Sequence, residues 1–367
     1  MNNHYAISLF SGAGGLDLGI EAAGFTTKLC TDIDTVSCKT LEKNQKSNPK
    51  GLLKDAKIVQ GDIKQYSTES ILKDAGLQKN EVDLVYGGPP CQAFSVFGKR
   101  LGLEDTRGTL VYDYIRVVRE IQPKSFIFEN VKGLLSMNDG SLIEAIIDGL
   151  SKDEEGNQIY NISYGLFNTA EYGIPQYRFR VIIYGIRKDI GESIPLPLVT
   201  HYSDPAEPKA GLLPPTTVAD AFRGLPLETT DLIPNHIGRK HGEAVIERYR
   251  NMAFGERDSK TRINKLDPNK PSFTIVVGSD KGGGKGHIHP TVPREVTPRE
   301  SARIQTFPDY WAFEGTSRHP IRQVGNAVPP VFAGIIASNL LRYGFHEEDA
   351  PNYSELIERL GLDYLKK

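Results

Sequence analysis

An apolar run, Val82-Asp83-Leu84-Val85-Tyr86, breaks into Gly87-Gly88-Pro89-Pro90-Cys91-Gln92. A short apolar stretch ended by such a turn reads as a buried strand. The two prolines stiffen the chain beyond it, so a thiol is delivered at a strand tip on a rigid backbone. Reactive groups at the carboxyl ends of strands are what an open, doubly wound α/β sheet provides. A free cysteine taken alone is most often a small buried hydrophobe. Only three cysteines occur in the 367 residues, and the company of Cys91 gives it a role.

The same strand-then-polar-tip pattern recurs. Ala6-Ile7-Ser8-Leu9-Phe10 reads as a first strand, and Ser11-Gly12-Ala13-Gly14-Gly15 as a tight turn into a helix over about Leu16–Ala23. Glycines permit such a turn and let a ligand approach the backbone. Thr27-Lys28-Leu29-Cys30-Thr31 is a second strand with Asp32 at its tip, where an acid commonly holds ribose hydroxyls. Val59-Gln60-Gly61-Asp62-Ile63 ends a third. Asp62 is suited to accept from an adenine amino group. A fifth strand, Lys124–Phe128, ends at Glu129-Asn130-Val131. Helical segments lie between, which predicts a doubly wound, mostly parallel sheet with a site along its carboxyl edge. The glycine turn alone fits NAD, FAD and S-adenosylmethionine equally.

Charge is unevenly spread. Residues 235–300 hold thirteen Lys/Arg against eight Asp/Glu, a net of +5, and the formal −2 of the whole chain leaves −7 elsewhere. A basic segment on an acidic body suits a localised phosphate-binding face. The cysteine count, without metal spacing, points to a reducing cytoplasm. No apolar run reads as a bilayer span and no signal peptide is evident.

Phe10-Ser11-Gly12-Ala13-Gly14-Gly15, Pro90-Cys91-Gln92, Glu129-Asn130-Val131, Gln176-Tyr177-Arg178-Phe179-Arg180 and Gly325-Asn326-Ala327-Val328-Pro329 form an ordered set. With them the chain resembles the DNA (cytosine-5) methyltransferases of the compact restriction–modification kind, from about Tyr5 to Tyr343. The resemblance implies a Rossmann-like, S-adenosylmethionine-dependent fold with a smaller irregular DNA-recognition domain. It implies methyl transfer to carbon 5 of a cytosine flipped out of double-stranded DNA. Cys91 is then the nucleophile that adds to carbon 6, which requires its thiolate. Glu129 acts on nitrogen 3. Arg178 and Arg180 share a strand face and steady Glu129, the thiolate or the base, with Arg180 the better base contact. The implied cofactor set is Phe10, Gly12, Gly14, Asp32, Ile33, Asp62, Ile63, Pro90, Leu110 and Asn326. Asp32 is shorter than the family's usual glutamate, and Ile33 replaces a larger, often aromatic residue.

The resemblance also implies DNA contacts by Gln92, by Ser95 and Arg107 of a loop (93–108) that closes as a lid, and by Thr274. The proline-rich crossing at 195–215 divides the chain. Residues 1–194 with 321–345 form the catalytic domain, 195–320 the target-recognition domain with a hinge, and 346–367 a C-terminal helical extension. His287 and His289 lack partners for a metal, so none is expected. The chain is expected to act as a monomer, and the resemblance leaves room for a cognate restriction endonuclease without a stable complex. An RNA cytosine-5 methyltransferase, a non-catalytic DNA-binding relative and an NAD-dependent dehydrogenase are the rival readings. The size of the 195–300 insert favours duplex DNA.

Overall fold

The computed structural model describes residues 3–90, 110–275, 277, 286–316 and 318–366. Cys91, Gln92, Ser95 and Arg107 fall outside them. A seven-stranded sheet runs in the order β3-β2-β1-β4-β5-β7-β6. Its strands are β1 His4–Leu9, β2 Phe25–Asp32, β3 Lys57–Gln60, β4 Leu84–Gly87, β5 Ser125–Val131, β6 Tyr160–Asn168 and β7 Phe179–Arg187. The first five pair in parallel, whereas β7 runs antiparallel to both β5 and β6. The central strands β1, β4 and β5 are apolar and buried nearly throughout, as strands covered on both faces must be.

On one face lie α3 (Thr68–Ala75), α4 (Leu110–Ile121) and α5 (Ser141–Ser151), packed on Ile7, Leu9, Val85, Phe126 and Val181. On the other lie α1 (Gly15–Ala23), α8 (Pro298–Ile304), α10 (Pro330–Gly344) and α11 (Tyr353–Leu360). A Cβ on Gly19 would sit 2.2 Å from Pro330 O, so glycine is what lets α1 and α10 meet so closely. Helix starts follow the local chemistry. Asp34 caps α2 (Thr35–Ser47) by accepting from Ser37 N, and Thr297 with Glu300 forms a reciprocal capping box before Pro298.

Residues 243–288 hold a small cluster of Tyr249, Met252, Ile263 and Ile288, with α7 (Glu243–Arg250) on it. Ala302, Ile304, Phe307, Trp311 and Phe313 pack in the main core. So do Leu356, Ile357 and Leu360 of the C-terminal extension. By length and composition one described stretch, His319–Gly344, is apolar enough to cross a membrane, and 83% of its most apolar 18-residue window is buried inside the fold. It comprises α9 (His319–Asn326) and α10, so Asn326 is the last residue of a helix.

Candidate active site

The tips of β4 and β5 are pressed together. A Cβ on Gly87 would lie 2.3 Å from Leu9 O, and one on Gly88 would lie 2.5 Å from Glu129 Oε2. Asn130 Nδ2 donates to Pro89 O at 2.9 Å. The segment entering Cys91 is therefore fixed by the residue after Glu129. Pro90, the last described residue before Cys91, is exposed.

Glu129 pairs in register with Ile182, and Val131 with Arg180, so Glu129 and Arg180 are diagonal neighbours on one sheet face. Arg180 Nε lies 2.6 Å from Glu129 Oε1, with both side chains only 11% exposed. A charge pair this withdrawn from solvent fixes the carboxylate's direction. Arg178 takes a different place. It is fully buried, and its Nη2 donates to Gly325 O and Ala327 O, both at 2.8 Å. Burial foremost, then the neighbouring Arg180, pushes its guanidinium below the ordinary arginine range, while Glu129 counteracts. Arg178 thus anchors the Gly325-Asn326-Ala327 junction, and only Arg180 is brought onto Glu129. Asn326 itself is exposed.

Thr274 Oγ1 donates to Tyr177 O at 2.5 Å, and Tyr177 N to Ser272 O at 2.8 Å. Residues 272–275 are thereby laid along the strand entry that carries Arg178 and Arg180. His287 Nε2 is 3.1 Å from Thr274 O. His289 stacks on Phe222 and is driven down to about 4, chiefly by burial.

Seven of the expected cofactor residues, Phe10, Gly12, Gly14, Asp32, Ile33, Asp62 and Ile63, lie at or just beyond the tips of β1, β2 and β3. Phe10, Gly12 and Gly14 take left-handed φ values of 57°, 54° and 89°. Asp32 accepts from Gly12 N at 2.7 Å through Oδ2 and from Asp34 N at 2.8 Å through Oδ1. Burial raises its carboxyl and these backbone donors pull it back. Asp32 thus first secures the glycine turn, with lone pairs remaining on both oxygens. Ile33 is 64% exposed beside it. Asp62 accepts from Lys64 N at 3.0 Å, Ile63 is buried, and Leu110 opens α4 half-buried.

Sequence reasoning missed the braces. Trp311 Nε1 donates to Ala13 O at 3.0 Å from beneath the turn. Arg322 Nη2 pairs with Asp34 Oδ1 at 2.9 Å, tying α9 to the rim that carries Ile33. The one tryptophan of the chain was the available signal for the first; nothing local marks the second.

We expect Gly88→Ala to fold but to lose about a hundredfold in turnover, because its methyl displaces the Glu129 carboxylate. Steady-state kinetics beside a melting curve checks this.

A family model for the C-5 cytosine-specific DNA methylases matches residues 5–342. The chain is 34% identical to the type II methyltransferase M.XorII of Xanthomonas oryzae pv. oryzae, over 93% of this chain and 85% of that one. It is 34% identical to M.NgoFVII of Neisseria gonorrhoeae, over 98% and 90%. Among solved structures, a protein assigned as a DNA modification methyltransferase of an E. coli prophage superposes with a TM-score of 0.70 at 29% identity, covering 93% of this chain and 99% of that one. The Dnmt2 methyltransferase of S. pombe gives 0.61 at 18%, covering 92% and 98%, a likeness of fold. With Glu129, Arg180 and the glycine turn arranged at one sheet edge, and with the family model spanning nearly the whole chain, this protein belongs to the C-5 cytosine-specific DNA methylases.

Proposed function

We propose that the chain methylates carbon 5 of a cytosine extruded from a specific double-stranded DNA site, with S-adenosylmethionine as donor, as the modification enzyme of a restriction–modification system. The observation that carries this is the Glu129–Arg180 pair, pressed on Gly88 and joined through Asn130 to the chain entering Cys91.

The strand tips fit the donor. Among the described residues a Cβ on Gly12 or Gly61 would meet no atom within 4 Å, with exposed Ile33 and the Asp32 carboxyl between the two glycines. Phe10, Gly12, Gly14, Asp32, Ile33, Asp62, Ile63, Pro90, Leu110 and Asn326 would hold S-adenosylmethionine there. When bound, it supplies an electrophilic sulfonium methyl.

Carbon 5 of cytosine is a poor nucleophile. The Cys91 thiolate adds to carbon 6, forming a C–S bond and moving the ring's π electrons to carbon 5 as an enamine-like nucleophile. Glu129 shares a proton with nitrogen 3 as charge builds there. Arg180 holds that carboxyl in place, and Arg178 holds the junction at Asn326. Once carbon 5 is methylated and its proton lost, the C–S bond breaks and the thiolate leaves. The base must first leave the stack to reach Cys91. Gln92, Ser95 and Arg107 would contact DNA around it.

Residues of about 195–300 read the site, and the sheet domain performs the reaction. Neutralising Lys and Arg within 235–270 should weaken binding to all sequences and lower the log–log salt slope by about 0.9 for each phosphate left unneutralised. Titrations at several salt concentrations check this. Thr274→Ala should disturb selectivity or extrusion while donor affinity, measured by calorimetry, stays unchanged. The same reading has a cytoplasmic monomer and leaves a cognate endonuclease to act independently on the site. Methylating a plasmid and mapping it by bisulfite sequencing tests the proposal: one recurrent site is expected. Methyl incorporation into transfer RNA instead of DNA would overturn it.

A further inference from the structure

Asp17 is fully buried on α1, directly beneath the glycine turn. Its Oδ1 accepts from the Tyr86 hydroxyl at 3.0 Å and from the Cys30 thiol at 3.3 Å. The Tyr86 hydroxyl is also 3.0 Å from Thr27 Oγ1. Ser8 faces the same carboxyl, its Oγ 2.7 Å from Ser11 Oγ, while Asp17 Oδ2 is buried with no hydrogen-bond partner among the described residues. The Ser11 hydroxyl donates to Thr31 O at 3.4 Å. One carboxyl therefore gathers side chains from β1, β2, β4 and the turn.

Nothing cationic is among these partners. A carboxylate in such a place is costly to bury. Burial foremost raises its pKa above the ordinary range, with Ser8, Tyr86 and Cys30 opposing. A leucine would fill the same space without that desolvation. What the acid adds is direction, an acceptor aimed at two strands at once. The strands it joins are the ones whose tips matter. Ser11 precedes Gly12, Cys30 lies two residues before Asp32, and Tyr86 lies five before Cys91.

We infer that Asp17 is a positioning residue: through Tyr86, Cys30 and the Ser8–Ser11 pair it locks the tips of β1, β2 and β4 together and sets the donor-binding turn relative to the Cys91 strand. This rests on the methyl-transfer reading above. A misplacement of about 1 Å between reacting groups costs about a hundredfold in rate, so the network acts on turnover more than on DNA affinity.

The test is single-turnover methyl transfer from tritiated S-adenosylmethionine to plasmid DNA, with both reactants saturating. Wild type is measured first; if it transfers no methyl, the underlying reading fails and not this inference. In an active preparation, Asp17→Leu should fall about a hundredfold with DNA affinity unchanged. Asp17→Asn, a neutral isostere that keeps the acceptor, should recover most of the rate. Tyr86→Phe should lose about five- to tenfold, the worth of one hydrogen bond. It serves as the deciding variant if Asp17→Leu does not fold. The inference is overturned if a folded Asp17→Leu stays within about tenfold of wild type. A loss in Asp17→Asn as deep as in Asp17→Leu, or an unimpaired Tyr86→Phe, overturns it equally.

Discussion

Cys91→Ser is expected to reduce methyl transfer to background while leaving DNA binding largely in place. A hydroxyl at this position remains protonated at neutral pH and is a far weaker nucleophile than a thiolate. The chain entering residue 91 is fixed by contacts that do not involve its side chain. Asn130 holds Pro89 O, and Gly87 packs on Leu9. Serine should therefore leave the β4 tip where it is, and the loss should appear in the chemical step alone. A tritium assay beside a filter-binding titration measures both. Substantial turnover by the serine variant would contradict a covalent route.

The second large effect is expected at Glu129. Glu129→Gln preserves shape and a hydrogen bond to nitrogen 3, but it cannot deliver a proton as charge develops. It also removes the negative partner of Arg180, whose Nε lies 2.6 Å from Oε1 in a pair largely withdrawn from water. Removing one member of such a pair leaves the other uncompensated. General acid help is worth about 10²–10⁴-fold. The single-turnover rate should fall within that range, with DNA affinity changing much less. A fall of less than about tenfold would make Glu129 a structural acid that orients Arg180.

Much of the sheet was legible because each strand has a buried apolar run and a punctuated end. Gly12, Asp32 and Gly61 mark the tips of β1, β2 and β3, and Glu129 stands two residues before the end of β5; local chemistry suffices to read them. The edge strand β6 was not read. Its sequence, Tyr160-Asn161-Ile162-Ser163-Tyr164-Gly165-Leu166-Phe167-Asn168, is only partly buried and carries a weak apolar signal. Helix α9 was obscured by Pro320 near its start and Gly325 near its end, both of which read as turn signals.

At the site, strand alternation put Arg178 and Arg180 on one face but could not assign their partners. Arg178 meets carbonyls of residues 325 and 327, nearly 150 positions later in the chain. Trp311 under Ala13 and Arg322 on Asp34 are likewise long-range contacts. Contacts of that kind follow from how elements pack, and no residue spacing encodes them. The same reason explains the packing of Phe307 and Trp311 with α1. A proline-rich crossing at 195–215 signals a change of path, whereas the return to the main core has no punctuation of its own.

The central claim is that Cys91 bonds to carbon 6 of the target cytosine. DNA carrying 5-fluorocytosine at the mapped site tests it most directly, because fluorine at carbon 5 cannot leave as a proton and the C–S bond cannot then break. With S-adenosylmethionine present, the protein and this DNA should form a complex that survives SDS and migrates as one shifted band. Cys91→Ser should not form it. If active wild-type protein gave no such band, or if the serine variant gave the same band, addition of Cys91 to carbon 6 would be contradicted.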